Sequence, residues 1–163
     1  MMDITLRNCT ADDLATVAEL DVQVFGPESY SRIVFRQLHE ICGGLFRVAV
    51  ANNGQLAGYS VGAPRAATRD AWVLSVGVLP AFRQRGIARR LTLDLLSQSV
   101  ALGIENLWLT VAPDNAPARR LYVSLGFTVA GFEPDYFGPG QAREVMRLML
   151  PLAANGEPSR SLR

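Results

Sequence analysis

Two stretches of this sequence carry residue types that could do chemistry. The first, Arg83-Gln84-Arg85-Gly86-Ile87-Ala88, joins an apolar segment ending at Leu79-Pro80 to the start of an amphipathic one. A helix starting there leaves its first N–H groups unpaired and turns the positive end of its dipole outward, which suits an anion. Small residues at Gly86 and Ala88 let a phosphate approach the backbone, and Arg83, Arg85, Arg89 and Arg90 add charge-assisted donors. The spacing matches neither the phosphate loop GxxxxGK nor the dinucleotide turn GxGxxG. The second stretch is Asn115, Ala118, Tyr122 and Gly126-Phe127. Asn115 suits a helix N-cap, Ala118 and Tyr122 share one helix face, and Gly126 suits the stop. A tyrosine there can serve as an acid or pack as a core aromatic.

The elements that must position these residues follow from patterning. Ile4 and Leu6 mark a short strand, and Thr10 with Asp13 makes a capping-box start to a helix that Gly26-Pro27 ends. A second helix runs from Ser31 to about Cys42, and Ile33, Val34, Gln37, Leu38 and Ile41 are expected to face inward. Residues 45–51 and 56–63 read as strands around the turn Asn52-Asn53-Gly54-Gln55, and 71–79 completes an antiparallel meander. Ile87, Leu91, Leu95 and Leu102 form one stripe of a helix over 86–102, followed by a strand over 104–111. Strand, helix and strand from Trp72 to Val111 make a parallel crossover unit. A helix over 115–125, a strand over 127–131, an aromatic Pro/Gly loop over 133–141 and a last strand over 144–150 complete the pattern. The expected organisation is one α/β domain over 1–152 with a flexible tail over 153–163.

The order of strand, Arg/Gln-x-x-Gly-x-Gly/Ala, helix, strand, Asn-x-x-Ala-x-x-x-Tyr-x-x-x-Gly-Phe, strand resembles the GNAT family of acetyl-CoA-dependent N-acetyltransferases. The resemblance spans residues 3–150 and is most specific from Val76 to Phe127. It implies a splayed mixed sheet of about seven strands with about four helices, and acetyl-CoA wedged between the fourth and fifth strands. By the same resemblance the backbone of Val76, Gly77 and Val78 holds the pantetheine and polarises the thioester. Arg83, Gln84, Arg85, Gly86, Ile87, Ala88 and Arg89 cradle the pyrophosphate, Asn115 contacts the cosubstrate, and Tyr122 is the acid beside the sulfur. Leu107-Trp108-Leu109, Leu121-Tyr122 and Asp135-Tyr136-Phe137 resemble the branch that acetylates the N-terminal alanine of a ribosomal protein. Thr110 departs from that branch, which carries a glutamate base there; a threonine hydroxyl cannot take a proton from an ammonium at neutral pH.

Acetyl transfer to nitrogen needs a neutral amine. A peptide α-amine with a pKa of about 7.8 is roughly one-seventh neutral at pH 7, whereas a lysine at about 10.4 is below ~0.1% neutral. Losing the glutamate therefore hurts an α-amine least. Substitute bases are His39, the lone histidine, and the loop residues Glu28, Tyr30, Asp135 and Tyr136. By the resemblance, these four loop residues and Thr110 face the acceptor groove. The function expected is transfer of acetyl to a protein or peptide α-amine. The alternatives are a small-molecule amine acceptor, and an acyl-CoA-binding regulatory domain without turnover.

Composition narrows the classes. The 163 residues carry 16 basic and 15 acidic side chains, every basic one an arginine, so no broad basic surface is available for nucleic acid or membrane. With 49% hydrophobic residues a folded core is expected. Cys9 and Cys42 lack the spacing of a metal site and are expected to be buried thiols. Met1 to Arg7 mixes acid and base instead of resembling a secretory leader. The chain is expected to be cytoplasmic, monomeric or homodimeric, and free of metal.

Overall fold

The computed structural model describes residues 3–151, so the expected tail over 153–163 lies outside the described residues. Seven strands form one sheet in the order β1-β2-β3-β4-β5-β7-β6. They are β1 (Ile4–Asn8), β2 (Phe46–Ala51), β3 (Leu56–Pro64), β4 (Asp70–Val78), β5 (Asn106–Val111), β6 (Thr128–Glu133) and β7 (Arg143–Met149). Among the described residues the α-helices are α1 (Leu14–Phe25), α2 (Arg32–Cys42), α3 (Ile87–Ala101) and α4 (Ala116–Ser124). No helix of the described residues is long and apolar enough to cross a membrane.

Local chemistry starts the elements where the sequence places them. Thr10 and Asp13 form the capping box, with one 3-10 turn over Ala11–Asp13 leading into α1. The Ser31 hydroxyl accepts the Val34 N–H at 3.3 Å to cap α2. The turn between β2 and β3 is closed by Gly54 N–H donating to the Ala51 carbonyl at 2.8 Å.

One face differs from expectation. Ile33 and Ile41 are each 71% exposed, while Phe35 and Cys42 are buried. The helix is turned by Phe35, which packs edge-on to Tyr59 and against Phe46. A buried aromatic ring covers more area than the aliphatic side chains, so it sets the inward stripe. Leu102 likewise lies outside the α3 stripe; Ile87, Leu91 and Leu95 are buried, and Leu102 is the exposed C-cap.

The core lies on both faces of the sheet. On one face α1 and α2 pack Val17, Leu20 and Phe35 against Phe46, Tyr59 and Val61. On the other, Ile87 and Leu91 pack against Ala49, Ala57 and Val78, and Leu95 continues that layer onto Leu107, Leu109 and Met146.

All strand pairs are antiparallel except β4 and β5. That parallel pair holds only from Asp70↔Asn106 to Trp72↔Trp108, after which the strands part. The last paired residues are locked: the Trp72 and Trp108 rings stack at 5.9 Å, with the Arg147 guanidinium 5.5 Å above Trp108. Asn106 donates to Asp70 at 2.8 Å and accepts from Arg147 at 2.7 Å. Just past this point the β3–β4 register passes from Gly62↔Val73 to Val61↔Ser75, leaving Leu74 as a bulge residue.

β3 runs too close to β4 to accept a side chain at Gly58, where a Cβ would lie 2.7 Å from the Gly77 carbonyl oxygen. Gly131, in β6, has open space around it. Gly58→Ala is therefore expected to cost about 1–3 kcal/mol in urea unfolding, and Gly131→Ala to stay within about 0.5 kcal/mol of the parent.

Candidate active site

The parting of β4 and β5 opens a cleft of about 510 Å³. Its walls are Val73 to Val76 from β4, Leu109 to Val111 from β5, Ala112 just after it, and the N-cap Asn115 with Ala118 and Tyr122 of α4. Asp21, Phe25, Glu28 and Tyr30 close one side, and Phe137, Gln141 and Arg143 close another.

The β4 edge of this cleft carries unpaired backbone. Leu79 N–H donates to Ala57 on β3 at 2.9 Å, so by strand alternation Gly77 also points toward β3, and Val76 and Val78 point away. Consistent with this, the Val78 carbonyl accepts from Arg83 Nε at 3.3 Å and not from β3.

Beyond β4 the loop to α3 has two residues in the left-handed region, Gln84 at φ 61° and Gly86 at φ 72°. Such a turn brings successive N–H groups to one side, and no side chain caps the N-terminus of α3. Ile87 is buried and Ala88 packs on the core, so only their backbone amides are available to a ligand. The arginines are partly committed to the fold. Arg89 donates to Ser124 at 2.9 Å, tying α3 to α4, Arg90 donates to the Ile4 carbonyl at 2.8 Å, and Arg85 lies 5.8 Å over Phe82.

Asn115 caps α4, its side chain accepting the Ala118 N–H at 3.3 Å, and still lines the cleft. Tyr122 projects from the same helix, its ring edge-on to Phe127 at 5.7 Å. Among the described residues its hydroxyl makes no hydrogen bond to the protein. Burial pushes its pKa up to about 12, so the phenol keeps its proton through the whole neutral range.

Thr110 does line the cleft, on β5 opposite Val145, together with Glu28 and Tyr30. Glu28 reaches Arg143 at 3.8 Å, so the loop after α1 meets the start of β7 across the opening. Asp135 and Tyr136 are not brought to the cleft. The Asp135 carboxylate accepts the Gly140 N–H at 2.8 Å and thereby fixes its own loop. Tyr136 packs edge-on to Phe137 at 4.8 Å, and it is the exposed Phe137, under Arg143 at 4.9 Å, that lines the cleft. His39 also lies away from the cleft, against Phe46. Cys9 and Cys42 are buried thiols, pushed up to about 12 and about 11 by burial. Among the described residues no cluster of potential ligands could hold a metal.

Asp21 and Ser75 line the cleft without any signal in the motifs. Asp21 is 1% exposed, on the apolar stripe of α1 with Leu14, Val17 and Ala18. Its Oδ1 accepts a hydrogen bond from the Tyr59 hydroxyl, and its Oδ2 accepts the Tyr30 N–H at 2.7 Å. The Tyr59 hydroxyl lies 2.7 Å from Ser75 Oγ. An acid at the i+3 and i+4 positions of an apolar helical stripe is the pattern that could have identified Asp21.

The sequence profile of the acetyltransferase (GNAT) family matches residues 14–127. A ribosomal protein bS18-alanine N-acetyltransferase of Salmonella typhimurium is 35% identical over 85 residues, 52% of this chain and 57% of that enzyme. The chain thus aligns with little more than half the length of that relative. An N-alpha-acetyltransferase RimI of Mycobacterium tuberculosis is 31% identical over 138 residues, covering 82% of this chain and 84% of the other. The crystal structure of Ard1 from Thermoplasma volcanium superposes with a TM-score of 0.83 at 25% identity, over 91% of this chain and 98% of that one. By the profile match over residues 14–127 and the relative 31% identical over 82% of its length, the chain belongs to the acetyltransferase (GNAT) family.

Proposed function

We propose that the protein transfers acetyl from acetyl-CoA to the N-terminal α-amine of a protein or peptide, in the cytoplasm, by direct attack in a ternary complex. The observation that carries this reading is the cleft itself. It joins an unpaired β4 edge and a neutral tyrosine on one side to an opening framed by Glu28, Tyr30, Phe137 and Arg143 on the other.

The residues fit the cosubstrate. The amides at the start of α3 and the Arg83–Arg89 turn suit a pyrophosphate, and the outward N–H groups of Val76 and Val78 suit the pantetheine amides and the thioester oxygen. Acetyl-CoA supplies an acyl group on a thiol leaving group. The chain supplies the rest: amides that stabilise the developing oxyanion, a phenol that donates to the departing sulfur, and walls that exclude water. The Tyr122 proton is held more tightly than a thiol's at about 8.5, so its hydrogen bond to the developing thiolate contributes more than complete transfer does.

An α-amine is favoured over a lysine because no carboxylate occupies position 110 and the α-amine is already partly neutral at pH 7. Thiol release is to be measured with acetyl-CoA and a panel of peptide α-amines, lysine side chains and small amines. Turnover on α-amine peptides above the others supports the reading; tight CoA binding with no turnover on any amine contradicts it.

Tyr122→Phe is expected to lower kcat by about 10²–10⁴-fold with CoA affinity within about two-fold, measured by the same assay and by calorimetry. Because the folded-state pKa of Tyr122 lies above the ordinary value of about 10, its protonated form favours folding; this contribution is intact below pH ~10 and lost as pH rises through about 12. In an alkaline phenolate titration, Tyr122→Phe should lose amplitude near pH 12 and none near pH 10.

A further inference from the structure

We propose that Ser75, Tyr59 and Asp21 form a proton path from the acceptor amine to a buried carboxylate, replacing the base that position 110 lacks. The inference rests on the acetyl-transfer reading above and adds the residues that make the amine nucleophilic.

Hydrogen-bond polarity fixes the direction of the path. The Asp21 carboxylate has both oxygens engaged, one by the Tyr59 hydroxyl and one by the Tyr30 N–H at 2.7 Å. Tyr59 has a single proton, and it is committed to Asp21. The 2.7 Å contact between Tyr59 and Ser75 must then have Ser75 as donor. That leaves the lone pairs of Ser75 Oγ to accept a hydrogen from the cleft, which Ser75 lines. A bulge at Leu74 is what turns Ser75 to the α1–α2 face while Val76 packs with the α3–α4 side. Ser75 and Tyr122 therefore flank the cleft from opposite faces of the sheet, as an amine entrance and a thiol exit require.

The surroundings suit a terminal proton acceptor. The titratable groups facing Asp21 are Tyr59 from β3 and Tyr30 at the entry to α2; β4 contributes Ser75. Among the described residues no arginine pairs with Asp21. Burial raises its pKa against the two hydrogen bonds that lower it, which increases its affinity for a proton. Glu28, the other carboxylate of the cleft, is 61% exposed at its side chain and lies 3.8 Å from Arg143.

In the step proposed, one ammonium N–H bond breaks and its electron pair stays on nitrogen. Ser75 takes that proton as its own passes to Tyr59, and the Tyr59 proton passes to Asp21 Oδ1. The neutral amine attacks the thioester carbon. A second N–H proton is lost as the amide forms and ends on the departing sulfur by way of Tyr122. Asp21 returns its proton to solvent through the same path once the products leave. No oxidant or metal is needed.

The test is the pH dependence of kcat/KM for an α-amine peptide, compared among the parent chain, Ser75→Ala, Tyr59→Phe and Asp21→Asn, alongside CoA affinity and thermal unfolding. Each variant is expected to lose about 10²-fold at pH 7 and to recover toward the parent as pH rises past about 8, where free amine needs no base. CoA affinity should stay within about two-fold. Ser75→Ala and Tyr59→Phe preserve shape, so they decide the matter if Asp21→Asn fails to fold. A parent that turns over while Ser75→Ala and Tyr59→Phe keep its pH profile overturns the path alone, as does a profile altered only by Glu28→Gln. A parent that binds CoA but releases no thiol overturns the acetyl-transfer reading, and the path with it.

Discussion

A parallel strand pair that ends after three residues leaves two edges of unpaired peptide groups inside a folded sheet, and each group buried without a partner costs about 1–3 kcal/mol. The fold tolerates this at β4 and β5 because the cleft between them admits solvent and ligand groups. The stacked Trp72 and Trp108, with the Asp70–Asn106–Arg147 hydrogen bonds beside them, stop the separation from running further down the sheet. Beyond that lock, β5 keeps its other edge paired to β7 as far as Val111↔Glu144, and β4 keeps its other edge paired to β3. Each strand is thus held on one side only, which is what makes a rigid site out of an incomplete sheet.

The remaining features depend on that opening. The α3 turn follows the parted end of β4 because α3 is the crossover that a parallel pair requires. Tyr122 reaches it because Asn115 starts α4 directly after β5 ends. The bulge at Leu74 places Ser75 and Val76 on opposite faces, Ser75 with Tyr59 and Asp21, and Val76 on the side where Tyr122 packs. Leu74 is itself tied to the loop before α2, its carbonyl accepting the Tyr30 hydroxyl at 3.3 Å.

How much of this was legible in the sequence differs from residue to residue. The turn before α3, the Asn115 cap and the shared face of Ala118 and Tyr122 were readable because each is a local backbone feature, a helix start or a single helix face. The β2–β3–β4 meander was readable from its turn at Asn52–Gln55 and the crossover from the change of periodicity at Gly86, whereas the position of β7 between β5 and β6 was not. The inward face of α2 was not: four aliphatic side chains suggested one stripe, and the single ring of Phe35 decided for another. Asp135 and Tyr136 illustrate a different limit. An aspartate in a Pro/Gly loop can face a substrate or cap its own turn, and only the Gly140 hydrogen bond distinguishes these. Asp21 and Ser75 were hidden for a third reason. Their relation runs through Tyr59, on a strand between them, so no spacing along the chain expresses it.

The central claim is that the parted edges of β4 and β5 receive the thioester and that the start of α3 receives its pyrophosphate. Amide hydrogen exchange with and without CoA tests this most directly. Saturating CoA should slow exchange at Val76, Val78 and the first amides of α3, leaving the β1–β2 and β6–β7 pairs unchanged. Protection confined to other segments, or CoA binding with no protection along β4, would contradict it.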